Sequence, residues 1–278
     1  MIIVAESGST KTNWFTGDKQ EFHTMGFNPL FHKPDFIYQE MMKNKDLVGI
    51  RDKVDKVFFY GASCSSPERK QVIADAMKPF FEKAAIIQVD HDLKAAALGT
   101  YSGKPGITCI LGTGSNSCLY DGEKIQQQVP ALGYILGDEG SGAYFGKKIM
   151  ALFLYDRLPE ATAKLLRDKY GLSKEVIIDK VYQQPNANVF LASHAVVMSE
   201  SPDKEFMDQL AFDGFSEFFE YHVCCFENYQ QYPVHFVGSI AYFHEDVLRK
   251  VAAKFGNEFG VINRSPGPKL LEYHLENN

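Results

Sequence analysis

An α/β architecture with two similar lobes is predicted by three observations. Short apolar strands alternate with amphipathic helices along the chain. A strand–turn–strand unit near residues 3–15 occurs again at residues 109–120, early in the second half. In both copies the turn is built from Gly, Ser and Thr. Matched in type, flanking strands and place within its half, the unit reads as a duplication.

The elements follow in order. A buried strand over residues 2–5 enters Ser7-Gly8-Ser9-Thr10-Lys11-Thr12 and leaves through a strand near 12–16. A third strand leads to Gly26-Phe27-Asn28-Pro29, a turn by composition. An amphipathic helix over 35–42, a strand over 56–60, a helix over 67–81 and a strand over 85–89 come next. An Ala-rich helix starts at Asp92, and Tyr101-Ser102-Gly103-Lys104-Pro105-Gly106 is the linker candidate. The pattern then restarts with a strand over 107–111, the turn Gly112-Thr113-Gly114-Ser115-Asn116 and a strand over 118–120. Helices are expected over 141–158, 174–182, 188–198 and 204–229, then a strand over 234–237 ending in Gly238-Ser239. A helix over 245–255 and one from Gly267 close the chain. The expected lobes are 1–105 and 106–278, with a ligand cleft between them.

Composition narrows the function. The 278 residues are 45% hydrophobic and 23% charged, an ordinary globular balance that needs no metal or disulfide staple. Lys+Arg total 29 against Asp+Glu 35, a net charge of −6, and no basic block stands out. No nucleic-acid partner is expected, and any phosphate site must be local. No apolar run suits a membrane span, and the first residues lack a positive n-region, so the expectation is a cytoplasmic protein without a membrane partner. Cys64, Cys109, Cys118, Cys224 and Cys225 show no zinc-ligand spacing and read as reduced core thiols. The stripe Phe215, Phe218, Phe219 and Tyr221 reads as core; the other reading, an interface, leaves a homodimer open.

Three segments carry chemistry. Glycine lets each turn approach an anion with successive N–H groups, and Ser and Thr hydroxyls and Lys11 add donors and charge. Alone, such a turn is more often a plain hairpin. Neither is a Walker A loop, and Ser117 stands where Gly-x-Gly-x-x-Gly would end. Gly137-Asp138-Glu139-Gly140-Ser141-Gly142 opens a helix and is either a helix entry or a carboxylate site for Mg²⁺ or a sugar hydroxyl. Val89-Asp90-His91-Asp92 ends a strand; Asp92 is either a helix cap or a general base for phosphoryl transfer.

Together these segments resemble the N-acetylglucosamine kinase/BadF-type ATPase family of the actin–hexokinase–heat-shock chaperone superfamily. Residues 5–12 resemble its first phosphate motif, 26–29 its early sugar-contacting turn, and His91-Asp92 its catalytic-aspartate segment. Residues 112–116 resemble its second phosphate motif, 133–142 its Gly-Asp-Glu-Gly-Ser-Gly stretch, and Val237-Gly238-Ser239 its adenosine-side motif. The resemblance implies a ribonuclease-H-like fold in each lobe, with mixed sheets flanked by helices, and ATP with Mg²⁺ between them. It implies Asp92 as base, with Asn28, Thr113, Gly133 and Asp138 holding a sugar. Gly8, Ser9, Thr10, Lys11, Thr12 and 112–116 would hold phosphates, Gly238 and Ser239 the adenosine, and Glu6 and Asp138 the metal. Glu6 replaces the usual Asp, Ser7 and Ser9 replace glycines, and Ala131-Leu132 stand where Gly-Trp is usual, beside the sugar wall. The expected activity is an ATP-dependent kinase of N-acetylglucosamine or a related amino sugar. The alternatives are an ATPase activator of a dehydratase or reductase, with Cys224 or Cys225 at a dimer-bridging iron–sulfur cluster, and a non-catalytic nucleotide-binding regulator.

Overall fold

Ile3, Val4 and Ala5 are all fully buried, so the first strand is covered on both faces. The computed structural model describes residues 1–8 and 10–277. They fall into two units, Met1–Tyr101 with Ser265–Asn278, and Ser102–Arg264.

In the first unit, β1 (Ile2–Ser7), β2 (Lys11–Thr16), β3 (Glu21–Met25), β4 (Lys56–Gly61) and β5 (Ile86–His91) form a sheet of order β3-β2-β1-β4-β5. The β1–β2 and β2–β3 pairs are antiparallel, while β1–β4 and β4–β5 are parallel. Side-chain alternation sorts the strands between two cores. Ile3, Ala5, Val57 and Phe59 join the cluster with Ile37, Met41, Ile73 and Met77 from the helices Pro34–Met42 and Pro67–Phe80. Val4, Phe15, Phe58 and Tyr60 point the other way, onto Ala95 of the helix Asp92–Thr100 and Leu270 and Leu271 of the helix Gly267–Asn277.

That second face explains why the expected lobes, 1–105 and 106–278, need correction. Without the last helix Val4, Phe15 and Phe58 would face water, and burying such side chains is worth about 1.5–3 kcal/mol each. The C-terminal segment therefore returns to the first unit. Gly267 meets Phe15 so closely that an added Cβ would lie 2.0 Å from its ring.

The second unit repeats the design. Strands β6 (Gly106–Leu111), β7 (Ser115–Tyr120), β8 (Ile125–Gln126), β9 (Val234–Val237) and β10 (Phe259–Asn263) run in the order β10-β9-β6-β7-β8. Read from the other edge, this is the first sheet's order with the same mix of directions. The duplication inferred from the two turns thus extends to whole sheets. Its core joins Ile107, Cys109, Leu111 and Phe236 to Phe145, Phe215, Phe218 and Phe219 from the helices Gly142–Leu154 and Lys204–His222.

Some expected boundaries move. The helix expected over 204–229 stops at His222, where the Ser117 hydroxyl donates to the His222 carbonyl at 2.7 Å and satisfies a helix-end acceptor. The helix expected over 188–198 breaks into Ala187–Ser193, a 3₁₀ turn at His194–Val196 and Val197–Glu200. No described helix is long and apolar enough to cross a membrane.

Candidate active site

The first unit's turn sits between β1 and β2. The Gly8 N–H donates to the Lys11 carbonyl at 3.0 Å, and the Gly26 N–H donates to that of Thr10 at 3.0 Å. Thr10 and Lys11 are exposed, as a phosphate contact requires, whereas Thr12 is fully buried in β2. The Thr12 hydroxyl shares a 2.8 Å hydrogen bond with that of Ser7 and donates to the Met25 carbonyl. The Ser7 hydroxyl also accepts from the Phe27 N–H at 2.8 Å. Thr12 and Ser7, expected in the phosphate turn, thus fasten that turn to Met25 and Phe27. Ser9 lies outside the described residues.

Glu6 differs most from expectation. Its Oε1 accepts from Asn13 Nδ2 at 2.6 Å and Ser265 Oγ at 2.6 Å, and its Oε2 accepts from the Gly267 N–H at 3.1 Å. Both oxygens serve the start of the Gly267–Asn277 helix, where a carboxylate also meets the positive end of the helix dipole. Burial lifts its pKa above the ordinary carboxylate value, although all three hydrogen bonds and Lys11 pull the other way. Glu6, expected at the metal, thus holds Asn13, Ser265 and Gly267 as a clasp.

Asn28 folds back on its own turn: its Oδ1 accepts from the Leu30 N–H at 2.9 Å, and its N–H donates to His32 Nδ1. The side-chain amide nitrogen takes no part in either bond. Asp92 is the first residue of its helix, at the end of β5, and its Oδ1 accepts the Leu93 N–H at 2.9 Å. It is half-buried, and desolvation raises its pKa against the pull of His91. Asp90 beside it is held between Lys70 at 2.6 Å and Lys94 at 2.7 Å. Burial pushes Asp90 up, but the two ammonium groups outweigh it, so its pKa falls. The segment therefore holds one carboxylate fixed as an anion and one biased toward taking a proton. Sequence spacing did not find Lys70, which comes from a separate helix; Lys94, at i+4 from Asp90, was legible in principle.

In the second unit the turn is zipped to a helix. The Gly142 N–H donates to the Gly112 carbonyl at 2.8 Å and the Ala143 N–H to that of Thr113 at 3.0 Å, using free donors of the helix's first turn. Ser141 caps the same helix by accepting from the Tyr144 N–H at 3.1 Å. Asp138, in the left-handed region at φ 58°, brings its carboxylate over the turn. There Oδ1 accepts the Ser115 N–H at 3.4 Å, and a Cβ on Gly114 would lie 2.9 Å from Oδ2. Burial raises the Asp138 pKa, partly offset by the Ser115 N–H. Asn116 is engaged by Gln127 Nε2 at 2.8 Å. Gly133, at φ 73°, starts the short helix Gly133–Leu136. Gly238, at φ 123°, lies against the Leu111 carbonyl, 2.2 Å from where a Cβ would sit, and Ser239 beside it is exposed.

A cavity of about 420 Å³ opens beside Asp138, between residues 129–139 and the last turn of the Lys204–His222 helix. Glu139, Glu217, Tyr221 and His222 line it. The last three were missed because their helix read as core. That reading holds for Phe215, Phe218 and Phe219, all fully buried, while Tyr221 is 54% exposed.

The family resemblance implies two groups, ATP and Mg²⁺. Gly8, Thr10 and Lys11 are exposed, and at Gly112 an added Cβ would meet nothing within 4 Å, so each turn leaves room for a phosphate. Mg²⁺ keeps several waters and takes one or two carboxylates besides phosphate oxygens. Asp138 fits that demand and Glu6 does not; no cluster of three or more His, Cys, Asp or Glu side chains suited to a metal exists among the described residues.

No protein-family model and no curated protein matches this chain. Solved structures do, and they define the class first: duplicated sheets in the fold of actin-like ATPases and sugar kinases. MreB 5 of Spiroplasma citri bound to AMPPNP aligns with a TM-score of 0.59 and 9% identity over 100% of this chain and 97% of that one. A ROK-family glucokinase from Streptomyces griseus, in complex with glucose and AMPPNP, aligns with a TM-score of 0.57 and 14% identity over 100% and 99%. A candidate N-acetylglucosamine kinase from Porphyromonas gingivalis is 35% identical, with a TM-score of 0.93 over 100% of this chain and 99% of that one. At that similarity this chain belongs to the same family as that candidate N-acetylglucosamine kinase.

Proposed function

We propose that this protein transfers the γ-phosphoryl group of ATP to a hydroxyl of N-acetylglucosamine or a closely related amino sugar. The observation that carries the reading is Asp92, half-buried at a strand end, with a pKa raised by desolvation. Such a carboxylate accepts a hydroxyl proton more readily than an exposed one, which is what the attacking oxygen requires. Asp90, neutralised by Lys70 and Lys94, stays out of that exchange and anchors the segment. Full-length similarity to a candidate sugar kinase supports the same reading over an electron-transfer activator or a silent regulator.

The roles follow from chemistry. The turns at 8–11 and 112–114 would bind phosphates by backbone N–H groups, with Lys11 adding charge. Asp138, Thr113 and the side-chain amide nitrogen of Asn28 would orient sugar hydroxyls, and the Gly238 backbone would border the adenosine. Mg²⁺ would neutralise phosphate charge, with Asp138 as its protein carboxylate. Excluding water decides whether the sugar or water takes the phosphoryl group.

The test is ADP release with N-acetylglucosamine, glucosamine, N-acetylmuramic acid and glucose in parallel. At least one amino sugar should raise turnover well above the sugar-free rate. If none does, the kinase reading fails.

A further inference from the structure

Asn28, given above to the sugar, sits on a turn with little packing of its own. Leu30 is 52% exposed and Phe31 75%, so burial does little to fix the tip. The chain is anchored before the turn by Phe27, fully buried with its N–H held by Ser7. After the turn it is anchored by Ile37, fully buried on the helix Pro34–Met42. Between those anchors, hydrogen bonds set the shape of residues 28–32.

His32 takes both backbone groups of Asn28. Its N–H donates to the Asn28 carbonyl at 2.9 Å, and its ring Nδ1 accepts the Asn28 N–H at 3.2 Å. The Phe31 N–H donates to the same carbonyl at 3.1 Å, and Asn28 Oδ1 takes the Leu30 N–H at 2.9 Å. Any residue but proline at 32 supplies the first of these bonds, but the second needs a side-chain acceptor in the place of Nδ1. The ring also packs on Phe36, with centroids 4.9 Å apart. A backbone N–H only donates, so Nδ1 is bare and the neutral ring carries its hydrogen on Nε2. Burial lowers the His32 pKa, while Glu40 of the helix Pro34–Met42, the charged group that acts on the ring, pulls it up. Glu40 is itself paired with Lys43. A proton added to the ring would sit on Nδ1, against the Asn28 N–H, and break that bond.

We propose that His32 is a positioning residue for the sugar: its neutral ring fixes the backbone of Asn28, and with it the direction of the side-chain amide, and a proton on the ring releases both. This rests on the sugar-kinase reading, in which Asn28 contacts the substrate. The nucleotide side is spared, because the disturbance ends at Phe27, whose burial and bond to Ser7 do not depend on His32.

The test is calorimetric titration of ATP, and separately of N-acetylglucosamine, glucosamine, N-acetylmuramic acid and glucose, into the full chain and its His32→Leu and His32→Asn variants. At about pH 7.5, His32→Leu should weaken sugar binding about three- to tenfold, the effect of one net hydrogen bond, with ATP affinity retained. His32→Asn, whose Oδ1 can stand in for Nδ1 and does not titrate, should restore most of the loss. Between about pH 7.5 and about pH 5 the wild type should lose about threefold more sugar affinity than His32→Asn. Asp92 and Asp138, with raised pKa values, titrate in both chains, so the difference isolates the ring. That comparison holds whether or not His32→Leu folds. Unchanged sugar affinity in His32→Leu, an equal loss of ATP affinity, no rescue by His32→Asn, or coincident pH responses would each overturn the positioning role. A wild type that binds ATP but none of the four sugars overturns the sugar-kinase reading itself, and the role of His32 with it.

Discussion

Replacing Glu6 by Ala separates two roles for the residue that opens the first phosphate turn. As a metal ligand it would affect nucleotide binding; as a clasp it affects stability. The structure gives it three hydrogen bonds, from Asn13 at 2.6 Å, Ser265 at 2.6 Å and the Gly267 N–H at 3.1 Å. A hydrogen bond to a charged group contributes about 1.5–3 kcal/mol, so the gross loss is several kcal/mol. Burial of the carboxylate opposes this, as its raised pKa records. The expected net loss for Glu6→Ala is about 2–4 kcal/mol, and for Glu6→Gln, which keeps a carbonyl acceptor without the charge, about 1 kcal/mol. Because the folded pKa is raised, Glu6 contributes most below the ordinary carboxylate value and progressively less as pH rises through its folded value. Urea unfolding at fixed pH measures the loss, and ATP titration over a range of Mg²⁺ measures the alternative. Unchanged stability with an Mg²⁺ requirement shifted tenfold would refute the clasp.

Three further outcomes follow from the same geometry. Asp92→Asn should lower turnover by about 10²–10⁴-fold with ATP affinity retained, and the wild-type acid limb should lie above the usual aspartate range because burial raises that pKa; full turnover in the variant would remove Asp92 as base. Gly238→Ala forces a side chain to φ 123° and 2.2 Å from the Leu111 carbonyl, so about 2–4 kcal/mol of stability should be lost in denaturant titration. His274, stacked on Phe58 at 3.6 Å with Nε2 2.8 Å from the Tyr60 hydroxyl, is held by burial at about 4, against 6.5 for the free ring. The unfolded chain therefore binds the proton first, and stability should fall by up to about 3 kcal/mol as pH drops from 6.5 toward 4. A flat midpoint across that window, or one unchanged by His274→Asn, would contradict the assignment.

The places of the candidate site residues in the fold were legible because their signals are local. A Gly/Ser/Thr turn between two apolar strands needs only neighbouring residues to define it, and both turns fall between paired strands as read. Asp92 at a strand end and Asp138 in its glycine loop were found the same way. What sequence missed is held by contacts between distant segments. Strand β10 and the two-residue β8 have weak patterns of their own and exist because β9 and β7 offer them edges. Glu217 and His222 lie on a helix whose aromatic stripe marks its core side, and periodicity does not say what the other side faces.

The duplicated strand–turn–strand units, and with them the α/β class and family, were determined by the sequence alone, since chain-local hydrogen bonding and turn chemistry encode them. Tertiary structure decided where the two Gly/Ser/Thr turns get their support. Ser7 and Thr12 read as phosphate donors in one dimension, and in the fold both are buried and bonded to Met25 and Phe27. Glu6 reads as a metal ligand in the sequence, and in the fold its carboxylate holds the start of a helix 261 residues away in the chain. The physical reason is that a polar side chain next to a turn must satisfy its hydrogen bonds wherever folding brings a partner, and only the folded chain names that partner.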